Sequence, residues 1–575
     1  MPDAQLHIPE PNRYPIIYVR GFAFGVDERD DTAADPYCGF NVGSTVYRAT
    51  ADKERPKSYF FESPLVRLSS EYGYHVLYKD GIEILDPAYA SGDAGRKRLL
   101  EGIPMASIVI HRFYDAGSKL RGTGETSSIV DYAKELANLI AMVRELVRPT
   151  ARAAAEADGR HPTDEQLDAD FRCHLVAHSM GGLVVRTLLQ NDANDVPEIE
   201  IDDVKRRVPK VRQCVAKVFT YGTPHNGIDL AGFNVPNMPG FLKDVGTFNR
   251  DTMRTYLDQV GIGRNVNYLP AHVMPPASQW FSMIGTNRMD YEVAKGLSRT
   301  FVGRGSDGLV RIDNATLWTQ VDVDGKPADM PVACAYAYRS HSGYFGIVNS
   351  EEGFQNLVRF LFGNFRIDLW LDISGVTLPV ALQAEEAKNR RVDAVYQMEM
   401  VVSTHGKTWS LSRRKAEEDS PACRTYQDLK NKTAAVESVH LSTVFLTKRA
   451  RVKADQPGIS YSVTLGIRAP DYEVAKAFWP DGHFEGVSLF RDSLIVTLFD
   501  PQDLQDLDTN HAPTEDWMVR MSWAERGDLA PMRFKPDDIT KPIVVKVPLA
   551  AASPEMTARN GAVAATLRME ARIWQ

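Results

Sequence analysis

Six short runs rich in Val, Ile, Tyr and Phe recur through the first two thirds of the chain: Tyr14–Val19, Ser107–Arg112, Arg172–Val176, Ala216–Tyr221, Trp280–Ile284 and Val332–Tyr338. A strand with one face in water alternates apolar and polar residues, whereas continuous apolar runs suit strands covered on both faces. Helical patterning between the runs supplies the cover. Over Asp131–Val147, Leu136, Leu139, Ile140 and Val143 fall at helical spacing. The expected fold class is therefore α/β, a doubly wound and mostly parallel sheet with helices on both faces.

Beyond Phe365 the texture changes. Asp368–Ile373, Val392–Val402, His440–Leu446, Ile459–Ile467, Ser493–Phe499, Trp517–Trp523 and Ile543–Val547 follow one another with little helical patterning between them. Several alternate with period two, as in Tyr461-Ser462-Val463-Thr464-Leu465. These runs predict a second, all-β domain of sandwich type. A length of 575 residues agrees with more than one hydrophobic core.

Composition excludes several classes. A net charge of −8 with scattered Lys and Arg offers no footprint for a nucleic-acid backbone, so no nucleic-acid partner is expected. Cys38, Cys173, Cys214, Cys334 and Cys423 are odd in number and never spaced as a pair, which argues against both a zinc site and a disulfide framework. Met1–Arg13 is polar and has no apolar stretch of the signal-peptide kind. No later window reaches the roughly 20 apolar residues of a transmembrane helix. The expected location is the cytoplasm, with export by a signal-independent route left open.

The segment richest in chemistry is His174-Leu175-Val176-Ala177-His178-Ser179-Met180-Gly181-Gly182-Leu183-Val184-Val185. An apolar strand runs into a small-x-Ser-x-Gly turn, and a helix follows at once. Such a turn holds the serine at strained dihedrals with its hydroxyl above the sheet, which requires small residues two before and two after it, here Ala177 and Gly181. The first amides of the following helix point at the oxygen that becomes negative when an acyl carbonyl is attacked, so the Met180 N–H is expected to be an oxyanion donor.

On Ala177-His178-Ser179-Met180-Gly181-Gly182 and its flanks, the first two thirds of the chain resembles the α/β-hydrolase superfamily, lipase and esterase branch. Tyr14-Pro15-Ile16-Ile17-Tyr18-Val19-Arg20-Gly21-Phe22 resembles the strand and loop that supply the other oxyanion donor, which the resemblance assigns to the backbone N–H of Phe22; Arg20 stands where most members carry His. Thr223-Pro224-His225-Asn226-Gly227 is also similar to lipase sequences.

Of 13 histidines, His341 has the position a general base needs, in Arg339-Ser340-His341-Ser342-Gly343 after the last strand of the first domain. His178, beside the nucleophile, is expected to turn its ring into the protein as a hydrogen-bonded packing residue. His225 is expected to shape a pocket wall. The chain order nucleophile, acid, base confines the acid to the stretch between Ser179 and His341. Gly305-Ser306-Asp307-Gly308-Leu309-Val310 offers Asp307 between small residues and resembles the acid-bearing loop of bacterial lipases; Asp290 is the alternative.

The sequence thus divides into an α/β-hydrolase catalytic domain at residues 1–365 and an all-β accessory domain at 366–575. Within the first, the insertion at 228–279 is expected to overhang the nucleophile as an apolar cap, with Phe233, Val235, Met238, Phe241, Leu242, Val245, Phe248 and Leu257. The expected activity is hydrolysis of a small-molecule or lipid carboxylic ester through an acyl-enzyme, needing neither metal nor organic cofactor. A phospholipase acting as an antibacterial effector, an acyltransferase or amidase on the same three residues, and a noncatalytic scaffold are the other readings. No partner of the second domain is identifiable.

Overall fold

The computed structural model describes residues 13–21, 44–48, 57–61, 64–77, 84–85, 87–111, 113, 127–195, 197–201, 204–208, 210–230, 233–234, 246–261, 263–291, 303–323, 325–343, 345–404, 406–431, 437–450, 457–474, 482–507, 516–535 and 541–574. Contacts divide the chain into two compact units. One comprises Asn12–Ala333 and Arg339–Phe354, the other Cys334–Tyr338 and Gln355–Gln575.

The first unit is built on parallel strands in the order Trp280–Gly285, Val215–Tyr221, Cys173–His178, Ile16–Val19, Ser107–His111 and His75–Val76. Ile16–Val19 is central, pairing in parallel with Ser107–His111 on one side and Cys173–His178 on the other. Both faces of the sheet are covered, as the apolar runs required. Ile17, Val19, Leu175, Ala177 and Val218 share a core with Leu136, Ile140, Val143, Leu183 and Leu188 of the helices Ile129–Ala157 and Met180–Gln190. Their neighbours Ile16, Tyr18, Val176 and Phe219 are equally buried on the opposite face. There Phe219 packs its ring against Tyr221 and Phe281, and the Tyr221 hydroxyl donates to the carbonyl of Gly353.

Several elements differ from the sequence expectation, two of them in ways that tertiary contacts explain. His75–Val76 joins the sheet as a two-residue strand with no apolar run to announce it. The Ile129–Ala157 helix outlasts the predicted Asp131–Val147, continuing through Pro149. Its start is fixed by a capping box between Ser128 and Asp131. Its extension is held by Arg148, which binds Glu145 and Asp168, and by Thr150, whose hydroxyl donates to the Ile103 carbonyl at 2.6 Å. Tertiary partners here outweigh the hydrogen bond that proline removes.

The second unit holds two antiparallel sheets. One orders Ser438–Leu446, Phe365–Thr377, Ala562–Ile573 and Ile543–Pro548; the other runs through Ser412–Arg414, Val392–Thr404, Ile459–Val474, Gly482–Phe499, Trp517–Trp523 and Gly527–Asp528. Ile459–Val474 alternates buried and less buried residues along most of its length. Its inward side chains Tyr461, Val463, Leu465 and Ile467 share one core with Leu369, Leu371, Leu567 and Met569 of the other sheet, so the two sheets pack face to face. Among the described residues no helix is long and apolar enough to cross a membrane.

Leu465 is fully buried in that core, whereas Thr464 beside it points outward and shares a 2.8 Å hydroxyl bond with Ser493. Leu465→Ala is expected to destabilise this unit by about 2–5 kcal/mol. Thr464→Ala should stay below about 1.5 kcal/mol; denaturant titration followed by tryptophan fluorescence measures both.

In the first unit, burial holds the His111 imidazole down to about 4, while its Nε2 sits 2.9 Å from the Tyr132 carbonyl. The unfolded chain takes up a proton at this residue below about pH 6.5 and the folded chain does not until near pH 4. Stability is therefore complete above about pH 6.5 and is lost as the pH falls toward 4. His111→Phe is expected to flatten the fall in unfolding free energy across that window, read by denaturation at a series of pH values.

Candidate active site

The strand Cys173–His178 ends in a residue with strained geometry. Ser179 has φ 51° and ψ −125°, outside the regions that non-glycine residues ordinarily occupy. Its amide donates to the carbonyl of Tyr221 at 2.9 Å, so the turn is bonded to the end of the neighbouring strand. The helix Met180–Gln190 starts at the next residue and is buried along its whole length.

Close packing explains the two glycines that open this helix. A Cβ on Gly181 would stand 2.3 Å from the Val19 carbonyl oxygen and 2.4 Å from that of Arg20. On Gly182 it would stand 2.2 Å from the Thr223 hydroxyl. The glycines let the helix N-terminus press against two neighbouring strand ends. Arg186 then fastens the helix from within the core: its guanidinium donates to the carbonyls of His225 at 2.8 Å and Val266 at 2.6 Å and to the Gln190 side chain at 2.7 Å.

Ser179, His341 and Asp307 form one hydrogen-bonded chain. His341 Nε2 lies 2.9 Å from Ser179 Oγ, and His341 Nδ1 lies 2.8 Å from Asp307 Oδ2. All three are buried. The other carboxylate oxygen, Oδ1, accepts from the amides of Leu309 at 3.0 Å and Val310 at 2.7 Å, and the His341 amide donates to the Asp307 carbonyl at 2.9 Å. An ionised carboxylate only accepts, so His341 carries its proton on Nδ1 and turns the Nε2 lone pair toward the serine hydroxyl. That arrangement can draw a proton from Ser179.

Further groups surround this chain that the sequence did not single out. A Cβ on Gly222, where φ is +51°, would meet Asp307 Oδ2 at 3.0 Å and His341 Nδ1 at 3.1 Å; on Gly285 it would meet Asp307 Cβ at 2.7 Å. Tyr291 sets its ring edge-on to His341 with centroids 5.7 Å apart. The pattern Asp-Gly-Leu-Val carried a readable signal for the Leu309 and Val310 amides, since an Asp side chain bonding amides two and three residues on is a common turn. Nothing local signalled Gly222, Gly285 or Tyr291.

Asp290, the alternative acid, accepts from the Asn287 side chain at 2.6 Å, while Asp307 is the carboxylate bonded to His341. Met180 begins the helix after the nucleophile, where its amide belongs to the first turn and has no partner within the helix. Phe22 lies outside the described residues. The segment that precedes it nevertheless ends against Ser179, because a Cβ on Gly21 would stand 3.0 Å from that of Ser179. His225 is fully buried, with Nε2 3.2 Å from the Thr220 hydroxyl. His178 is a hydrogen-bonded packing residue, as expected: its Nε2 lies 2.9 Å from the His341 carbonyl and its ring lies against that of His341, centroids 4.9 Å apart.

Of the expected cap, Val235, Met238, Phe241, Leu242 and Val245 lie outside the described residues, as does the side chain of Phe233. Phe248 and Leu257 are buried in the main core together with Met253. Asp229, Arg250, Asn226 and Asn314 join the base of this insertion by hydrogen bonds, among them Arg250 to Asp229 at 2.7 Å and Asn314 to Asp229 at 2.9 Å. Among the described residues no three His, Cys, Asp or Glu side chains gather as metal ligands do.

Gly182→Ala forces a methyl into Thr223 and is expected to destabilise the first unit by about 1–3 kcal/mol. The Thr223 hydroxyl is buried and has no hydrogen-bond partner among the described residues. Thr223→Ala added to Gly182→Ala should therefore recover part of the loss, which a double-mutant cycle on unfolding free energies reads directly.

No family model matches the chain, and no curated protein matches it. Among solved structures it is similar to the lipase BlEst2 from Bacillus licheniformis in its mature form, with 15% identity and a TM-score of 0.26 over 63% of this chain and 96% of that one. It is also similar to phospholipase PlaB from Legionella pneumophila, with 12% identity and a TM-score of 0.27 over 83% of this chain and 91% of that one. At such scores the likeness does not fix the fold, and the functional reading stands on the geometry of the site.

Proposed function

We propose that this protein is a serine hydrolase of the α/β-hydrolase fold that cleaves carboxylic esters through an acyl-enzyme. The observation that carries the reading is the chain from Ser179 Oγ through His341 to Asp307, with contacts of 2.9 and 2.8 Å, mounted on a strained strand-to-helix turn at the carboxyl end of a parallel strand. Ligand chemistry in parallel α/β sheets belongs at that edge.

The reaction runs in two acyl transfers. His341 Nε2 accepts the Ser179 proton as Oγ attacks the ester carbonyl, and the carbonyl oxygen becomes an oxyanion held by the Met180 amide and, in this reading, by the Phe22 amide. The tetrahedral species collapses as His341 returns that proton to the departing alcohol. Water then gives a proton to His341 and its oxygen to the acyl carbon; Ser179 recovers its hydroxyl as the acid leaves. Throughout, Asp307 stabilises the imidazolium without taking the proton. Its Oδ1 is fixed by two amides, so the carboxylate cannot swing away from the imidazole.

The acyl esters of phospholipids yield to the same steps, so a panel of p-nitrophenyl esters and phospholipids assigns the substrate. Ser179→Ala is expected to reduce p-nitrophenyl butyrate turnover by on the order of 10³-fold or more, and Asp307→Asn by about 10³–10⁴-fold in kcat with KM little changed. Circular dichroism should show both variants folded. Turnover retained by Ser179→Ala would place the chemistry elsewhere, and no labelling of the wild-type serine by a fluorophosphonate would count for a noncatalytic scaffold.

A further inference from the structure

The residue before the nucleophile makes contacts that the proposed reaction does not yet use. His178 Nε2 lies 2.9 Å from the main-chain carbonyl of His341, 163 residues away in sequence. A carbonyl only accepts, so His178 carries its proton on Nε2 and donates it. The two rings are tilted by 41° at a centroid distance of 4.9 Å, with Tyr291 a second aromatic neighbour of His341 at 5.7 Å. The remaining nitrogen, Nδ1, faces Gly21, where a Cβ would stand only 2.9 Å from it.

We propose that His178 is a positioning residue: by donating Nε2–H to the His341 carbonyl and covering its ring, it fixes the base loop relative to the nucleophile one residue along its own strand end. This rests on the ester-hydrolase reading. Ser179 and His341 come from segments far apart in sequence, and a loop after a strand end is easily displaced. The bond ties the two segments directly, so the spacing from Oγ to Nε2 does not depend on that one catalytic contact. Three fixed points then hold His341: its amide on the Asp307 carbonyl, its Nδ1 on the Asp307 carboxylate and its carbonyl on His178.

The donor also has to stay neutral while His341 becomes positive beside it. Burial first, then the nearness of His341, depress His178 to about 3; its bond to the His341 carbonyl works the other way and outweighs the further lowering by Arg20. Two adjacent imidazolium ions are thereby avoided at any pH at which the ester reaction is run.

Amide side chains separate the donor from mere bulk. The nitrogen of Gln reaches the place of His Nε2 and that of Asn the place of Nδ1, so His178→Gln keeps the bond to the carbonyl and His178→Asn, of similar polarity, does not. His178→Leu retains the packing alone. On p-nitrophenyl butyrate, His178→Leu and His178→Asn are expected to lose roughly 100-fold in kcat, the scale of about 1 Å of misplacement, with KM within about 2-fold, whereas His178→Gln returns to within about 3-fold of wild type. Wild-type kcat in His178→Leu or His178→Asn, or an equal loss in all three variants, would overturn the assignment. If His178→Leu fails to fold by circular dichroism, the Gln and Asn pair still decides the matter. Failure of the underlying reading looks different: wild-type protein would neither turn over the ester nor label at Ser179 with a fluorophosphonate.

Discussion

A serine held at φ 51° and ψ −125° carries about 1–3 kcal/mol of backbone strain, and such a residue persists only when its surroundings allow no alternative. Here the surroundings are the core of the first unit. The Ser179 amide is bonded to Tyr221, the helix that follows is buried end to end, and Gly181 brings that helix against the carbonyls of Val19 and Arg20. Relaxing the turn means withdrawing the helix from the sheet, which exposes Leu183, Val184 and Leu188. Apolar burial along the helix thus sustains the conformation of one residue at its end, and Arg186, bonded to two carbonyls of other segments, resists the same withdrawal.

The second constraint is that Asp307 and His341 have no slack. Both oxygens of the Asp307 carboxylate are committed, Oδ1 to two amides and Oδ2 to His341, and two glycines remove the side chains that would otherwise part the pair. One imidazole tautomer follows from these bonds alone. Dipoles fixed in this way need not reorient if charge develops on the imidazole, which is the electrostatic basis of the proposed reaction.

Much of this was legible in the sequence because it is written locally. The apolar runs marked the buried strands, since burial on both faces removes the need for alternation, and the observed ends lie within a few residues of the runs. The strand, Ser179, Gly181 and helix occupy one continuous stretch, and chain order confined the acid to a segment in which Asp307 sits among small residues. What the sequence left dark depends on distance across the fold. His75–Val76 is a strand only because Ser107–His111 offers it an edge, and Pro149 sits inside a helix only because Arg148 and Thr150 find partners on other segments. His178 was legible as a hydrogen-bonded packing residue, but its partner, a carbonyl more than 160 residues away, was not. Phe22, read from a family resemblance, lies outside the described residues, and with it one half of the expected oxyanion pair.

The topology also sets when the site can form. In the second unit the long strands Ile459–Val474 and Gly482–Phe499 are consecutive and antiparallel, so their pairing closes only a short loop. In the first, Ile16–Val19 must find Cys173–His178 in parallel before Gly181 can pack on the carbonyls of Val19 and Arg20, and Ser179 must then meet a histidine 162 residues further on. Loop closure is paid before such contacts stabilise anything, which places them late in assembly. Among the described residues, Gly21, His178, Gly222 and Gly285, which pack against Ser179, His341 or Asp307, stand at or just after strand ends of that sheet, so the hydrogen-bonded chain depends on the sheet's long-range pairing.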